Sequence, residues 1–320
     1  VWTTPRLAVQ SAVGAPALAF VAVYSAKANI AKRAAVRSTW GRVFKEVYGL
    51  RVHFFLGSLS AEGRLVDEQV RQEAEEHGDV ITLDVPEGYK MNSQKGLVFL
   101  QWCARHVSAE FLLKVDDDVY LRPAPVLAVL HARPPVGFLW AYMDYLSPVP
   151  VEDTSPFFND KETYPFDVFP PYPRGLIRAM SMDVVRHVAL HGDRGKLNII
   201  FGDDPCLGVH LRQALMDSED PLPSLAMDDR ESYRVFAMEP SCSPKLWSHV
   251  THRSWVVHHV TPEQVWCMWQ ADLKGYYEVG LSNKVRLSLK AEAAAFAAAT
   301  LATAKPGEAP EVPDLPDLCH

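Results

Sequence analysis

Two periods alternate along the N-terminal part of the chain. Residues 18–24 (LAFVAVY) form an unbroken apolar, β-branched run between Pro16 and the polar SAKAN stretch, the pattern of a buried strand. Residues 30–43 mix Arg and Lys with Ala and Val and predict a helix. Residues 51–56 (RVHFFL) predict a second strand, stopped by Gly57. In residues 65–77, Val66, Val70 and Ala74 recur at fourfold spacing among glutamates, as in an amphipathic helix ended near Gly78. A third strand is expected over 80–85, a well-marked helix over 94–106, and a fourth strand over 111–115 (FLLKV). This alternation predicts the α/β class, with a mostly parallel sheet.

From Pro123 the texture changes. Prolines cluster at 123, 125, 134, 135, 148 and 150 and again over 165–173, interleaved with Trp140, Tyr142, Tyr145, Phe157, Phe158, Tyr164, Phe166, Phe169 and Tyr172. Such chain builds either a pocket wall or a long loop packed on the core. Residues 290–305 are alanine-rich and read as a weak helix, followed by an acidic, proline-rich tail placed outside the fold.

Composition narrows the function classes. With 320 residues and 48% hydrophobic content the chain can bury a substantial core. Its net charge of −7 excludes a duplex nucleic-acid binder, which needs a basic surface. No apolar run reaches the length of a membrane span. The chain starts at Val1 and reads as a fragment or processed form, so any membrane attachment is expected from an anchor outside it. The five cysteines (103, 206, 242, 267 and 319) include no CxxC pair, which argues against a zinc or thioredoxin-type centre and allows at most two internal disulfides.

Four groups of residues could carry chemistry. Asp116, Asp117 and Asp118 directly follow the apolar strand, where three adjacent carboxylates repel and a divalent cation such as Mg²⁺ or Mn²⁺ would relieve them. An acidic turn capping the next element is the plainer alternative. Asp203 and Asp204 open a helix, which they could cap, unless one is aimed inward as a general base. His258 and His259 follow the apolar Trp255-Val256-Val257; on a strand, neighbours alternate, so only one could enter a site. Arg33 and Arg37 share a helix face and could hold a diphosphate or form a solvated basic face; Lys95 carries the same ambiguity. His249 and His252 read as loop residues and His210 as an ordinary helix residue.

Taken in order, these pieces resemble the β-1,3-glycosyltransferases of glycosyltransferase family 31, the β-1,3-galactosyltransferase and β-1,3-N-acetylglucosaminyltransferase group. The family's R-x-x-I-R-x-T-W is met by residues 33–40 (RAAVRSTW), and its Y-x-N-L-T-x-K in part by 89–95 (YKMNSQK). K-x-D-D-D-V-F is met by 114–120 (KVDDDVY), and Y-P-P-Y by Phe169-Pro170-Pro171-Tyr172, with the following serine at Ser181. E-D-V-x-x-G corresponds to 203–208 (DDPCLG), and H-x-x-S-P-E to 258–263 (HHVTPE). There are departures. The family's G-G-G-Y is here Gly175-Leu176-Ile177-Arg178, its Glu is Asp203, and its cysteine before the strand is absent, with Cys103 a turn earlier. No N-x-S/T sequon is present.

The resemblance implies a GT-A fold over residues 18–285, with a Rossmann-like nucleotide-binding half (about 18–122) and an acceptor half (about 123–285), between an N-terminal extension (1–17) and a tail (286–320). It implies a metal-dependent, inverting hexosyltransferase that takes a UDP-sugar and Mn²⁺ or another divalent cation, acts on a glycan or glycoprotein acceptor, and resides in the Golgi lumen. On that likeness Asp118 and His258 hold the metal, and Asp116 contacts the ribose. Arg33, Arg37, Lys95 and Asp117 join Asp116 on the donor side. Asp204 is the base, and Asp203 orients it or the acceptor. The rival expectations are a non-catalytic sugar- or nucleotide-binding module and, more remotely, a metal-dependent hydrolase acting on a diphosphate.

Overall fold

The computed structural model describes residues 16–59, 65–155, 158–229, 235–237 and 254–274. The N-terminal extension, Phe157, Cys242, His249, His252, Cys319, the alanine-rich segment and the tail lie outside them. The chain divides into two compact units, and the boundary falls inside the aspartate triplet, between Asp117 and Asp118.

The first unit draws on Val1–Ile30, Leu50–Asp117 and Leu130–Tyr233. Its strands are β1 (Ala17–Tyr24), β2 (Val52–Leu56), β3 (Val80–Thr82), β4 (Ala109–Asp116), and, beyond β5 (Val119–Leu121) of the second unit, β6 (Phe138–Asp144), β7 (Tyr172–Ser181) and β8 (Ala226–Asp228). They form a seven-stranded sheet ordered β3-β2-β1-β4-β7-β6-β8. The pairs β1/β2, β2/β3, β1/β4 and β6/β8 are parallel, whereas β7 runs antiparallel to both β4 and β6. The α/β class and the mostly parallel sheet are as expected. The sheet runs past residue 122, so strands from both expected halves share it.

Its helices are α3 (Leu65–His77), α4 (Asn92–His106), α6 (Met182–Asp193) and α7 (Asp203–Met216). β1 and β4 are almost wholly buried, which is why they read as continuous apolar runs. Against them pack Phe99, Leu100, Trp102 and Cys103 of α4, Val184, Val185 and Val188 of α6, and Leu207 and Leu211 of α7. Phe55 meets Phe99 at 4.8 Å and Trp102 at 5.2 Å, both edge to face.

The proline- and aromatic-rich stretch is neither simply wall nor simply loop. Trp140 and Tyr142 lie on β6, and the stretch ends in β7; alternation was obscured because both strands are flanked by prolines and mostly buried. Tyr164 and Phe169 are buried with Cys206 and Val209 of α7, while Tyr145 and Phe166 are exposed.

The second unit draws on Ala31–Gly49, Asp118–Val129 and Arg234–His320. It holds α1 (Ile30–Ser38), α2 (Trp40–Glu46), β5 (Val119–Leu121), α5 (Pro123–His131), β9 (Val235–Ala237), β10 (Val256–His258) and α8 (Pro262–Lys274). The single helix predicted over 30–43 is two. The chain breaks at Thr39, whose hydroxyl donates back to the Ala35 carbonyl at 2.6 Å in competition with the helix ladder. The small sheet is ordered β5-β10-β9, with β10 antiparallel to β5 and parallel to β9. A buried ion pair ties α8 to β5: Arg122 donates to both oxygens of Asp272 at 2.9 and 3.0 Å, and the Tyr120 hydroxyl adds a bond of 2.6 Å.

Candidate active-site residues

The aspartate triplet does not act as one cluster. Asp116 closes β4 on the same face as Lys114, and the two form a close ion pair. Asp117, buried, accepts a bond from the Asn29 amide at 2.9 Å. The repulsion expected from sequence is thus relieved within the first unit by a lysine and an amide. Only Asp118 enters a metal-ligand constellation among the described residues.

That constellation belongs to the second unit. Asp118 immediately precedes β5, which Trp40 fixes by donating its indole N–H to the Val119 carbonyl at 2.9 Å. The Val260 N–H donates to the Asp118 carbonyl at 3.1 Å, bringing in the chain after β10. His258 Nε2 lies 3.2 Å from Asp118 Oδ1, and His259 Nδ1 lies 3.9 Å from Oδ2. The two imidazoles stack at 3.9 Å. The alternation expected of the histidine pair fails because the strand ends at His258, and His259 takes a left-handed conformation (φ 59°) that turns it to the same side. The strand has to stop there: Thr261 and Gln264 form a reciprocal capping box at the start of α8, with Pro262 at its first position. Threonine, proline and a glutamine three residues on were a legible signal for that stop.

Burial acts to raise the Asp118 pKa, but the His258 hydrogen bond and charge, Lys32 and His259 outweigh it and pull it to about 2. One ionised carboxylate and two imidazoles have ligand atoms within 4.8 Å of one another. A mixed oxygen and nitrogen donor set of this kind suits a divalent first-row ion, Mn²⁺ among them. Lys32, with Nζ 3.5 Å from Asp118, is a further cation that sequence reasoning passed over.

Arg33 is fully buried on α1, so the pair with Arg37 is not a solvated basic face. Lys95, in the first unit, is also buried. It donates to the Ser25 carbonyl at 2.8 Å and lies 3.4 Å from Glu87, and burial lowers its pKa.

The acidic pair at the start of α7 belongs to the first unit. Asp204 does not cap its helix. Its Oδ2 accepts from the Gly175 N–H at 2.8 Å, and its Oδ1 lies 3.3 Å from Arg178 Nη1. Close approach of α7 to the start of β7 makes this geometry. A Cβ at Gly208 of α7 would fall 2.6 Å from Tyr172 Cβ and 2.8 Å from the Pro171 carbonyl oxygen, so glycine is required there, and one at Gly175 of β7 would fall 2.6 Å from Asp204 Oδ1 and push that carboxylate aside. Burial raises the Asp204 pKa most, and Asp203 and Asp116 add to the rise; Arg178 and Lys114 oppose it, leaving the carboxyl at about 7. Asp203, half-buried, shares the first turn. Lys114 and Arg178 stood out in sequence only as parts of family motifs and were given no role beside Asp204, although a lone lysine or arginine inside an otherwise apolar strand is itself a signal of a buried partner.

Cys103 and Cys206 are buried thiols. Burial holds Cys206 up at about 11 and its neighbour His210 down at about 4, so that pair is neutral packing and not a nucleophile and base.

Residues 31–221 match the Galactosyltransferase family profile, more than half of the chain. The chain belongs to the galactosyltransferase family, of the glycosyltransferase family 31 type. This galactosyltransferase-family chain is 28% identical to a human acetylgalactosaminyl-O-glycosyl-glycoprotein β-1,3-N-acetylglucosaminyltransferase, over 84% of itself and 69% of that protein. It is 24% identical to the Arabidopsis thaliana hydroxyproline O-galactosyltransferase GALT2, over 86% of itself and 37% of that protein. The Drosophila melanogaster β-1,3-galactosyltransferase brn is 29% identical, over 64% of the chain and 63% of brn. The chain thus spans from about a third to about two thirds of the length of these relatives. Similarity to solved structures is weaker: galactosyltransferase LgtC, in complex with donor and acceptor sugar analogs, aligns at a TM-score of 0.36 and 11% identity, over 76% of this chain and 87% of that one. No helix among the described residues is long and apolar enough to cross a membrane.

Proposed function

We propose that the chain is a metal-dependent, inverting GT-A glycosyltransferase. It moves a hexose or N-acetylhexosamine from a UDP-sugar to a hydroxyl of a glycan or glycoprotein, forming a β-1,3 linkage in the Golgi lumen. The observation that carries this reading is the placement of Asp204: on the family's acidic doublet stands a carboxylate that leaves its helix uncapped and sits on the Gly175 N–H at 2.8 Å, where burial and Asp203 push its pKa up to about 7, suited to a base in a neutral reaction.

Asp204 accepts the proton of the acceptor hydroxyl. The freed oxygen pair forms the new bond to the anomeric carbon, and the bond from that carbon to the diphosphate oxygen breaks, its electrons leaving with UDP. Attack opposite the leaving group inverts the anomeric centre, as in single-displacement glycoside chemistry with an alcohol in place of water. Asp203 orients the acceptor. Asp118, His258 and His259 would hold the divalent ion, which when bound offsets the charge of the diphosphate. On the donor side, the half-buried Arg37 and Asp116 suit direct contact, Asp116 with the ribose. Arg33, Lys95 and Asp117 are buried and suit shaping the donor segments from behind.

A non-catalytic sugar- or nucleotide-binding module is the rival, favoured by one observation: Arg178 and Gly175 already occupy both Asp204 oxygens. Incubation with a UDP-sugar panel, Mn²⁺ and an acceptor panel separates the readings. Glycoside and UDP appearing together support the transferase. Free sugar without glycoside indicates a hydrolase, and nucleotide binding without turnover indicates the module.

A further inference from the structure

Arg178 stands where the family pattern has the aromatic of G-G-G-Y. In the register of the antiparallel pair β4/β7 it lies directly opposite Lys114, and both side chains are at least 97% buried, at 3% and 1% exposure. Two cations opposite one another inside a sheet repel, and each costs desolvation, so neither is tolerated without an anionic partner. Lys114 has Asp116, the Gly175 carbonyl at 2.5 Å and the face of Tyr24 at 4.6 Å. Arg178 has Asp204, through Nη1, while its Nε is buried with no hydrogen-bond partner among the described residues.

We propose that Arg178 is a positioning residue for Asp204: from β7 its guanidinium, 3.3 Å from Oδ1, holds the orientation of the carboxylate and sets a fixed positive charge against it. The inference rests on the reading of Asp204 as the base, and it goes beyond the family pattern, in which an aromatic supplies no fixed charge. The guanidinium stays protonated at any working pH, so its contribution does not titrate away. The other groups acting on Asp204 are Lys114 and Asp116 from β4 and Asp203 from its own helix; Asp204 in turn acts on Tyr89, in the turn before α4, and Tyr24 on β1 lies under Arg178, Asp203 and Asp116. Of the positive groups, Arg178 touches the carboxylate directly. The titration of Asp204 at about 7, despite burial and two neighbouring acids, fits a cation that offsets them.

The test is carboxyl ¹³C NMR of Asp-labelled full chain across pH, with D204N assigning the Asp204 signal, together with the pH profile of transfer. In R178M the Asp204 midpoint is expected to rise by at least about one pH unit, a tenfold gain in proton affinity, as loss of an adjacent opposite charge requires. The acidic limb of kcat should move with it, with donor KM unchanged, and R178K should restore most of both. R178Q carries the same expectation should R178M not fold. A folded R178M or R178Q whose Asp204 midpoint stays within 0.3 of wild type (about twofold in proton affinity) overturns the proposal. Undiminished turnover in D204N, by contrast, overturns the base assignment and leaves the titration result to stand by itself.

Discussion

Asp118 and Asp204 are the same side chain, both partly buried, and their acidities diverge to about 2 and about 7. Burial raises both. What differs is the company. Asp118 faces two imidazoles and Lys32, and the leading charges acting on it are all positive, so attraction overtakes desolvation. Asp204 has Arg178 and Lys114 near it, but Asp203 and Asp116 offset them, so desolvation prevails. One carboxylate is kept charged, as a ligand for a cation must be; the other is held near its midpoint, as a proton acceptor must be. Two acids pushed in opposite directions by environment are a physical sign of divided roles.

The sharpest way to break the contrast is D204N. It preserves shape and the hydrogen bond from the Gly175 N–H but cannot take a proton. Transfer is expected to fall by about 10²–10⁴-fold, the usual worth of a positioned acid or base, with UDP and Mn²⁺ affinity retained. Near-normal turnover in a folded D204N would remove the base from Asp204. The complementary change, D118A, should spare the fold of the first unit and weaken Mn²⁺-dependent UDP binding by at least about 100-fold, because loss of a ligand costs no less than loss of its outer support. Calorimetric titration with UDP in the presence of Mn²⁺ reads this; unaltered affinity would show that Asp118 is no ligand.

Much of this contrast was legible in the chain. The apolar runs of β1, β2 and β4 and the periodicity of α3 and α4 are strong because each element buries a defined face. β6 and β7 were hidden because prolines interrupt their flanks and their partners are distant in sequence. The same limit applied at the site. The aspartates and the histidine pair are local signals, whereas Lys114 and Arg178 acquire meaning only when strand register sets them opposite each other. His259 was set aside by an alternation rule that holds within a strand, and the strand had ended.

The raised pKa of Asp204 has a second consequence, smaller and opposite in sign for activity and stability. An Asp with an unfolded value near 3.8 and a folded value near 7 binds a proton in the native state but not in the unfolded state between those pH values. Its stabilising contribution is complete below about 4 and is lost as pH rises through about 7, while the deprotonated base accumulates over the upper part of that range. Transfer should therefore drop about tenfold per pH unit on moving well below 7. Over the same window, the melting temperature of wild type should fall relative to that of D204N as pH rises. Parallel melting curves for the two proteins from pH 4 to 8 would contradict the raised value.

The finest discrimination lies within the histidine pair. His258 is 3.2 Å from Asp118 and 15% exposed; His259 is 3.9 Å away and 55% exposed, held in a left-handed conformation that costs on the order of 1 kcal/mol. On the proposed metal reading, a strained, solvent-facing residue brought round to a carboxylate is expected to be the weaker donor but not an idle one. H259A should accordingly lower Mn²⁺ affinity by about tenfold, at the low end of what partial loss of support costs a metal site, and H258A by more. H259N separates ligand from conformation, since asparagine accepts the left-handed backbone but offers no imidazole. If H259N binds Mn²⁺ as tightly as wild type while H258A does not, the ion is held by one histidine, and the turn at 259 serves only to end the strand.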